Sequence, residues 1–339
     1  MSDFAKYCLF NFSASINGGG LKRLEEYSKW FDERGGSIFI ISDKIKTDLE
    51  TKFENNTYFK VKQSFWDRVF RDQSYIRNLP IDFDEIKFYY SYGIPVYEKI
   101  GDVNCFHVSN IAPFKKNVEK SFVDNFRNYL LKKRFINYLD IPEIISAESN
   151  SSFNYLPSIY YKKFLCLQNG SDDEINFEEN KSIRRENIAV TVGTHPYKRL
   201  DRVIDCFKYI SKNYEINDLY IFGDSRNIKI DNPNIHLMGN KPRDEVISMI
   251  AKSKFYITCT TTENSYNAAS EGVFISDRSI ISIIGPHEEL LENETKEVIN
   301  INGNDMYLVE RNDLTKLNII YWNDIINKML LASGLKEWF

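Results

Sequence analysis

Two glutamates eight residues apart, Glu263 and Glu271, are the most informative pair of chemically capable side chains in the sequence. The run Phe255–Thr262 before them is strand-like and Ser265 is a residue type that caps helices, which places Glu271 inside a helix and Glu263 in the loop before it. Eight residues at a rise of about 1.5 Å each would separate them by roughly 10 Å along a helix axis. That span suits a nucleotide diphosphate sugar, with hydroxyls at both ends and the phosphates between them at the helix N-terminus. Taken alone, the spacing also fits two unrelated charges, one on a loop and one on a solvated helix face. A second candidate is the run Gly18, Gly19 and Gly20 between a strand-like segment and a helix start, where backbone N–H groups could approach an anion or the chain could simply turn tightly. Arg23 stands where a dinucleotide fingerprint needs its last glycine, and no P-loop motif occurs. The four histidines, His107, His195, His236 and His287, are isolated from one another, so a His-based metal site is not expected.

The elements that would hold these residues follow from periodicity. Apolar runs at Tyr7–Phe12, Ser37–Ile41, Ile86–Tyr90, Val103–Val108 and Glu143–Ser146 read as strands. Leu21 to Phe31 and Phe122–Tyr138 read as helices, with a helical turn at Val96–Ile100, while residues 48–80 fit no clean period. Polar residues from Gln168 to Ser182 mark a linker. A second alternation then places strands at Ile188–Val192, Leu219–Phe222, Ile235–Met238, Phe255–Cys259 and Ile280–Ile284, with helices at Leu200–Tyr209, Asp244–Ala251 and Asn267–Phe274. Strands alternating with helices imply an α/β fold of two Rossmann-like domains, each with a mainly parallel sheet. The expected division is residues 1–170, a linker at 171–182, a second domain at 183–319, and a C-terminal helix at 320–339 that returns to the first domain. Ligands of such folds bind at the carboxyl ends of the strands, so two domains facing a central cleft would share the site.

Composition narrows the function classes. With 339 residues, 42% hydrophobic and 27% charged, the chain is neither disordered nor fibrous, and no stretch approaches the roughly 20 apolar residues of a membrane span. Five dispersed cysteines suggest buried thiols in a reducing compartment, hence a soluble cytoplasmic protein. Residues 1–170 hold 24 Lys plus Arg against 21 Asp plus Glu, whereas 171–339 hold 20 against 27. A basic first half favours an anionic surface or acceptor, while the overall acidity argues against nucleic acid.

The segment from Glu263 through Asn267 to Glu271 and Gly272 resembles the E-x7-E signature of GT-B glycosyltransferases of the GT4 type, in the E-x-x-x-N-x-x-x-E form common in surface-polysaccharide assembly. Val192–Asp201 is similar to the family's strand, V-G-R loop and K-G-x-D helix start. Leu219–Gly223 resembles its next strand and glycine turn, Ile235–Gly239 with Asp244–Ala251 its base-binding region, and Asn169-Gly170 the N-G before the linker. Phe106-His107, followed by Asn110 and Pro113-Phe114, is similar to its strand-end histidine segment. The resemblance covers most of the chain in order. It implies a retaining, metal-independent glycosyltransferase that takes a nucleotide diphosphate sugar as co-substrate, needs no cofactor, and acts on a saccharide acceptor, lipid-linked if the chain works at a membrane.

By the same resemblance Glu271 holds the donor ribose, Glu263 contacts the transferred sugar, and Lys198, with Arg199 and backbone N–H groups near Ser265, neutralises the diphosphate. Gly193, Thr194, Asn240, Asn264, Asn267, Gly19 and Gly20 complete the implied donor-binding set. Thr194 replaces the family's arginine, and Asn264 and Tyr266 replace its small residues, so the phosphate contacts differ from the family pattern. His107 is either a catalytic cleft contact to the sugar or a core histidine packed after Val103–Phe106. The acidic pair Asp82 and Asp84 precedes a strand rather than following one, and no metal is expected there. A basic run of Lys115, Lys116, Lys120, Arg127, Lys132, Lys133 and Arg134 interleaves with Phe122, Phe126, Tyr129, Leu130, Leu131 and Phe135, a pattern that fits either an amphipathic helix on an anionic membrane surface or a solvated helix with its apolar side in the core. The competing readings are a non-catalytic carbohydrate-binding or partner protein on the same scaffold, and a nucleotide-sugar epimerase.

Overall fold

The computed structural model describes residues 7–16, 18–115, 122–157, 163–170, 183–291, 296–310 and 320–335, without the side chains of Phe122 and Asn267. The expected linker at 171–182 lies outside the described residues, as do Lys116 and Lys120 of the basic run. The chain divides into two compact units, Met1–Gly170 with Ile320–Phe339, and Ser171–Ile319.

The first unit runs β1 (Cys8–Phe12), α1 (Gly18–Asp32), β2 (Ile38–Ser42), α2 (Leu49–Lys52), β3 (Thr57–Val61), α3 (Phe65–Phe70), α4 (Asp72–Arg77), β4 (Phe88–Tyr92), β5 (Val103–Val108), α5 (Phe122–Asn137), β6 (Ile144–Ala147), α6 (Asn150–Phe153) and β7 (Lys163–Cys166). Its sheet is ordered β3-β2-β1-β4-β5-β6-β7 and all pairs are parallel. Strand period two divides its core into two layers. Cys8, Phe10 and Phe12 pack with Tyr27 and Phe31 of α1, whereas Leu9 packs on the other face with Tyr89 and Ile145.

The second unit runs β8 (Glu186–Val192), α7 (Leu200–Tyr214), β9 (Asp218–Phe222), β10 (Ile235–Gly239), α8 (Arg243–Lys252), β11 (Ser253–Thr258), α9 (Asn267–Ile275), β12 (Arg278–Ser282), α10 (Gly285–Leu290), β13 (Lys296–Ile301) and β14 (Asn304–Glu310). The order is β10-β9-β8-β11-β12-β14-β13, parallel from β10 to β12 and antiparallel at the β13–β14 hairpin. The final helix α11 (Trp322–Ala332) packs Trp322, Ile325, Ile326 and Met329 into the α1 side of the first sheet.

Three local expectations are corrected. Val96–Ile100, bracketed by Pro95 and Gly101, is irregular rather than helical, although Val96 and Ile100 are buried. The helix after β1 begins within the glycine run, at Gly18, instead of after it. Ser265 does not cap α9; Tyr266 holds that position without a side-chain hydrogen bond.

Candidate active site

In the second unit the strand order reverses direction between β8 and β11, the place where parallel α/β sheets open a crevice at their carboxyl ends. Both loops leaving those strands carry predicted site residues. After β8 the chain passes through Gly193 at φ +97°, a 3-10 turn at Pro196–Lys198, and Arg199 at φ 51°. The amide of Thr261, beyond β11, donates to the carbonyl of Tyr197 at 2.9 Å and ties the two loops together. This brings Lys198 to Glu263, and Nζ donates to Oε1 at 2.5 Å with both side chains mostly buried. A Cβ at Gly193 would stand 3.0 Å from Cε of Lys198, so the glycine leaves room for the lysine stem.

Glu271 is placed by packing. Gly272 lies against the ring of Tyr256 on β11 so closely that a Cβ would overlap it, which seats α9 on the sheet and fixes the neighbouring glutamate. Oε1 of Glu271 accepts from Arg243, the first residue of α8, at 2.8 Å. Only Asn267 to Glu271 of the eight-residue span is helical, so a single helical rise does not relate the two carboxylates; the loop Glu263–Tyr266 does. The structure therefore brings Lys198 together with Glu263, and Glu271 together with Arg243, a residue the sequence reading had not singled out.

Thr194 Oγ1 donates to the carbonyl of Asp224 at 2.7 Å, and Arg199 is engaged by Asp201 at 2.6 Å. Asn264 and Ser265 are buried in the loop before α9, and Asn240 is exposed just after β10. His195 is exposed and packs on Tyr197. His287 on α10 is buried; its Nδ1 donates to the Ser282 carbonyl at 2.8 Å, and burial, with the Lys198 charge adding to it, pushes its pKa down to about 4. No spacing in the sequence pointed to it.

The first unit presents a different set. Gly19 and Gly20 form the first turn of α1, Gly19 exposed. His107, Tyr92 and Ser146 are in register at the carboxyl ends of β5, β4 and β6. His107 is fully buried: its ring stacks on Tyr92 with centroids 5.1 Å apart, and Nδ1 lies 2.9 Å from Ser146 Oγ. Its side chain is enclosed between β4 and β6. Burial, with the Arg23 charge, pushes its pKa down to about 4, and it is neutral at pH 7. Its Nε2 lies 3.7 Å from Glu148 Oε1, too far for a hydrogen bond. The Tyr92 hydroxyl donates to that oxygen at 3.0 Å. Burial alone would raise the Glu148 pKa, but His107, Arg23 and Tyr92 together hold it below the usual value. On the opposite sheet face Asp72 accepts from Asn11 and Gln63 at 3.0 and 3.1 Å, and burial pushes its carboxyl up to about 7.

Asp82 accepts from the Asp84 amide in an exposed 3-10 turn, and among the described residues no three His, Cys, Asp or Glu side chains converge as a metal ligand set. All five cysteines are buried thiols. No described helix is long and apolar enough to cross a membrane.

The sequence matches no protein-family model. It is 27% identical over 164 residues to an uncharacterized glycosyltransferase of Methanocaldococcus jannaschii, a match spanning 47% of this chain and 43% of that protein, less than half of either. HepE of Anabaena, solved in complex with UDP and glucose, superposes with a TM-score of 0.57 at 12% identity, covering 97% of this chain and 95% of that one. The chain has the GT-B fold. Sucrose-phosphate synthase from Thermosynechococcus elongatus shows the same two Rossmann-like domains, with a TM-score of 0.59 at 10% identity over 98% and 90% of the two chains.

Proposed function

We propose that this protein is a glycosyltransferase that moves a sugar from a nucleotide diphosphate sugar to a saccharide acceptor. The observation that carries the reading is the convergence of Lys198 and Glu263 from the two loops at the crevice of the second sheet, with Glu271 on the following helix. HepE, of like fold, binds UDP and glucose, which makes UDP the first nucleotide to examine here. In this reading the Lys198–Glu263 pair opens on donor binding. The Lys198 ammonium turns to the diphosphate, where negative charge builds as the glycosyl bond breaks, and Glu263 is released to accept sugar hydroxyls. Glu271 exchanges Arg243 for the ribose hydroxyls. Retention of configuration is what the GT4 resemblance implies, and Lys198 with the α9 N-terminus supplies the charge that a metal provides elsewhere.

An anionic cytoplasmic membrane surface belongs to the same proposal. On α3 and α5 Trp66, Phe70, Val123, Phe126 and Tyr129 are each about half exposed, and the rings of Trp66 and Phe70 stack beside Phe126. The apolar side of α5 is thus largely outside the core, with Arg127 and Arg134 lying over Phe65 and Phe70, a combination suited to lipid headgroups. A lipid-linked saccharide acceptor fits this surface.

The experiment is a turnover panel of UDP-, GDP-, ADP- and CMP-sugars with and without acceptor and with EDTA. Transfer from one donor, retained in EDTA, is the expected result. Absence of all turnover would leave a binding protein, and conversion of the donor without an acceptor an epimerase; loss in EDTA restored by Mn²⁺ would overturn metal independence.

A further inference from the structure

One buried titratable group of the second unit has no part in the proposed transfer. After β12 the chain turns from Ser282 into α10, and His287, the third residue of that helix, folds back onto the turn and is only 1% exposed. Its Nδ1 lies 2.8 Å from the Ser282 carbonyl oxygen and 3.4 Å from Ser282 Oγ. A carbonyl only accepts, so the imidazole proton sits on Nδ1. The hydroxyl of Ser282 has one hydrogen, and it is donated to the carbonyl of Thr260 at 2.7 Å. Towards His287 that hydroxyl is therefore an acceptor, and a single N–H is shared between both oxygens of Ser282. The sharing fixes where the hydroxyl points: turned to the imidazole, its hydrogen would meet another hydrogen, whereas turned to Thr260 it meets a lone pair.

Thr260 is buried and opens the loop that leads from β11 to Glu263. Its own hydroxyl donates to the Thr262 carbonyl at 3.2 Å, and the next amide, that of Thr261, donates to the Tyr197 carbonyl at 2.9 Å. Two residues beyond Thr261 stands Glu263, and one beyond Tyr197 stands Lys198, its partner. Hydrogen bonds thus run from His287 through Ser282 to the backbone that seats this ion pair. The Lys198 charge adds to burial in lowering the His287 pKa to about 4, so at pH 7 the ring stays neutral and keeps the tautomer that Ser282 requires. We propose that His287 is a positioning residue, which holds the Thr260–Glu263 loop through Ser282 and so fixes the place where Glu263 meets Lys198. That this place serves a reacting sugar rests on the transfer reading above; the positioning itself rests on the second unit's geometry.

Hydrogen-exchange mass spectrometry and single-turnover kinetics on the same variants test it. His287→Leu removes the shared N–H, and the peptide spanning residues 259–266 should exchange roughly tenfold faster or more, with peptides of β8 and β9 unchanged. With the donor that the wild type transfers, the single-turnover rate should fall roughly tenfold or more while UDP affinity stays within about threefold. His287→Asn, whose side-chain amide places an N–H near the position of Nδ1, should bring both readouts back to within about threefold of wild type, which a residue that only fills space would not do. Ser282→Ala removes one oxygen and serves if the leucine variant does not fold; it should reproduce the faster exchange and the lower rate. Combined with His287→Leu it should add no further loss, because both substitutions break one linkage. Exchange and rate within about twofold of wild type in a folded His287→Leu or Ser282→Ala variant, or losses that multiply in the double variant, overturn the proposal. A wild type that turns over no donor removes the transfer reading alone, and exchange of the 259–266 loop then decides the positioning.

Discussion

The two sheets share the order β3-β2-β1-β4-β5 and β10-β9-β8-β11-β12, yet their carboxyl ends hold opposite kinds of chemistry. In the second unit the polar groups sit on loops and helix starts: Lys198 and Glu263 pair, and Glu271 pairs with Arg243. In the first unit they sit on or directly after the strands. Tyr92 and His107 are stacked in an aromatic layer, neutral and fixed, with one carboxylate, Glu148, behind them. One strand order thus carries polar groups either on loops or on the strands themselves. Loops place paired charges at one crevice, and strands place stacked, neutral groups at the other.

The largest effect should come from Arg23, whose charge organises the first unit only. Removing one partner of a buried charged network costs about 3–5 kcal/mol, so Arg23→Leu should lower the denaturation midpoint strongly. Trp30, Trp66 and Trp322 belong to the first unit, so their fluorescence reports it; an unchanged midpoint would show that the network is not what holds this end of the sheet.

Next in size is the acid limb of stability. The folded-state pKa of His107 is about 4, below the 6.5 of a free imidazole, so its contribution is full above pH 6.5 and is lost as pH falls to 4. That loss is roughly 3 kcal/mol, and His107→Asn should remove it. The difference between wild type and variant cancels Asp72, whose carboxyl, pushed up to about 7, acts with opposite sign by losing stability as pH rises through the same window. Identical pH profiles from fluorescence-monitored denaturation would contradict the fixed, neutral histidine.

In the second unit, if Glu271 holds the donor ribose as proposed, Glu271→Ala removes a contact made in ground and transition states alike. Donor KM should rise about ten- to 150-fold with kcat changing less, measured by initial-rate kinetics. The smallest expected effect is at the surface. Trp66→Ala with Phe126→Ala should weaken co-sedimentation with anionic vesicles several-fold, and Lys132→Glu with Lys133→Glu should make the residual binding insensitive to salt. Unchanged sedimentation in both would remove the membrane contact.

Much of the fold was legible because long apolar runs such as Val103–Val108 and Phe255–Thr258 become strands wherever they are covered on both faces. Residues 48–80 were not, because their elements are four to six residues long. Even so, Ser64 and Asp67 form a capping box that announces α3. The β13–β14 hairpin carried its signal too, in Asn302-Gly303 at φ 50° and 78°. The loops after β8 and β11 were readable from motif order, whereas Arg243, His287 and Glu148 had no spacing to betray them; tertiary packing alone brings each to its partners. His107 was found, but its burial depends on Tyr92 and Ser146 from neighbouring strands, which one-dimensional spacing does not show.

The proposed division of roles gives Glu263 to the reacting sugar and Glu271 to the nucleotide. It is tested most directly by measuring UDP-sugar affinity by calorimetry and single-turnover rate separately for Glu263→Gln. The rate should fall by a factor of roughly 100 or more with donor affinity little changed, because the lost contact strengthens as the sugar ring becomes cationic. A rate within a few-fold of wild type in a folded, UDP-binding variant would contradict it.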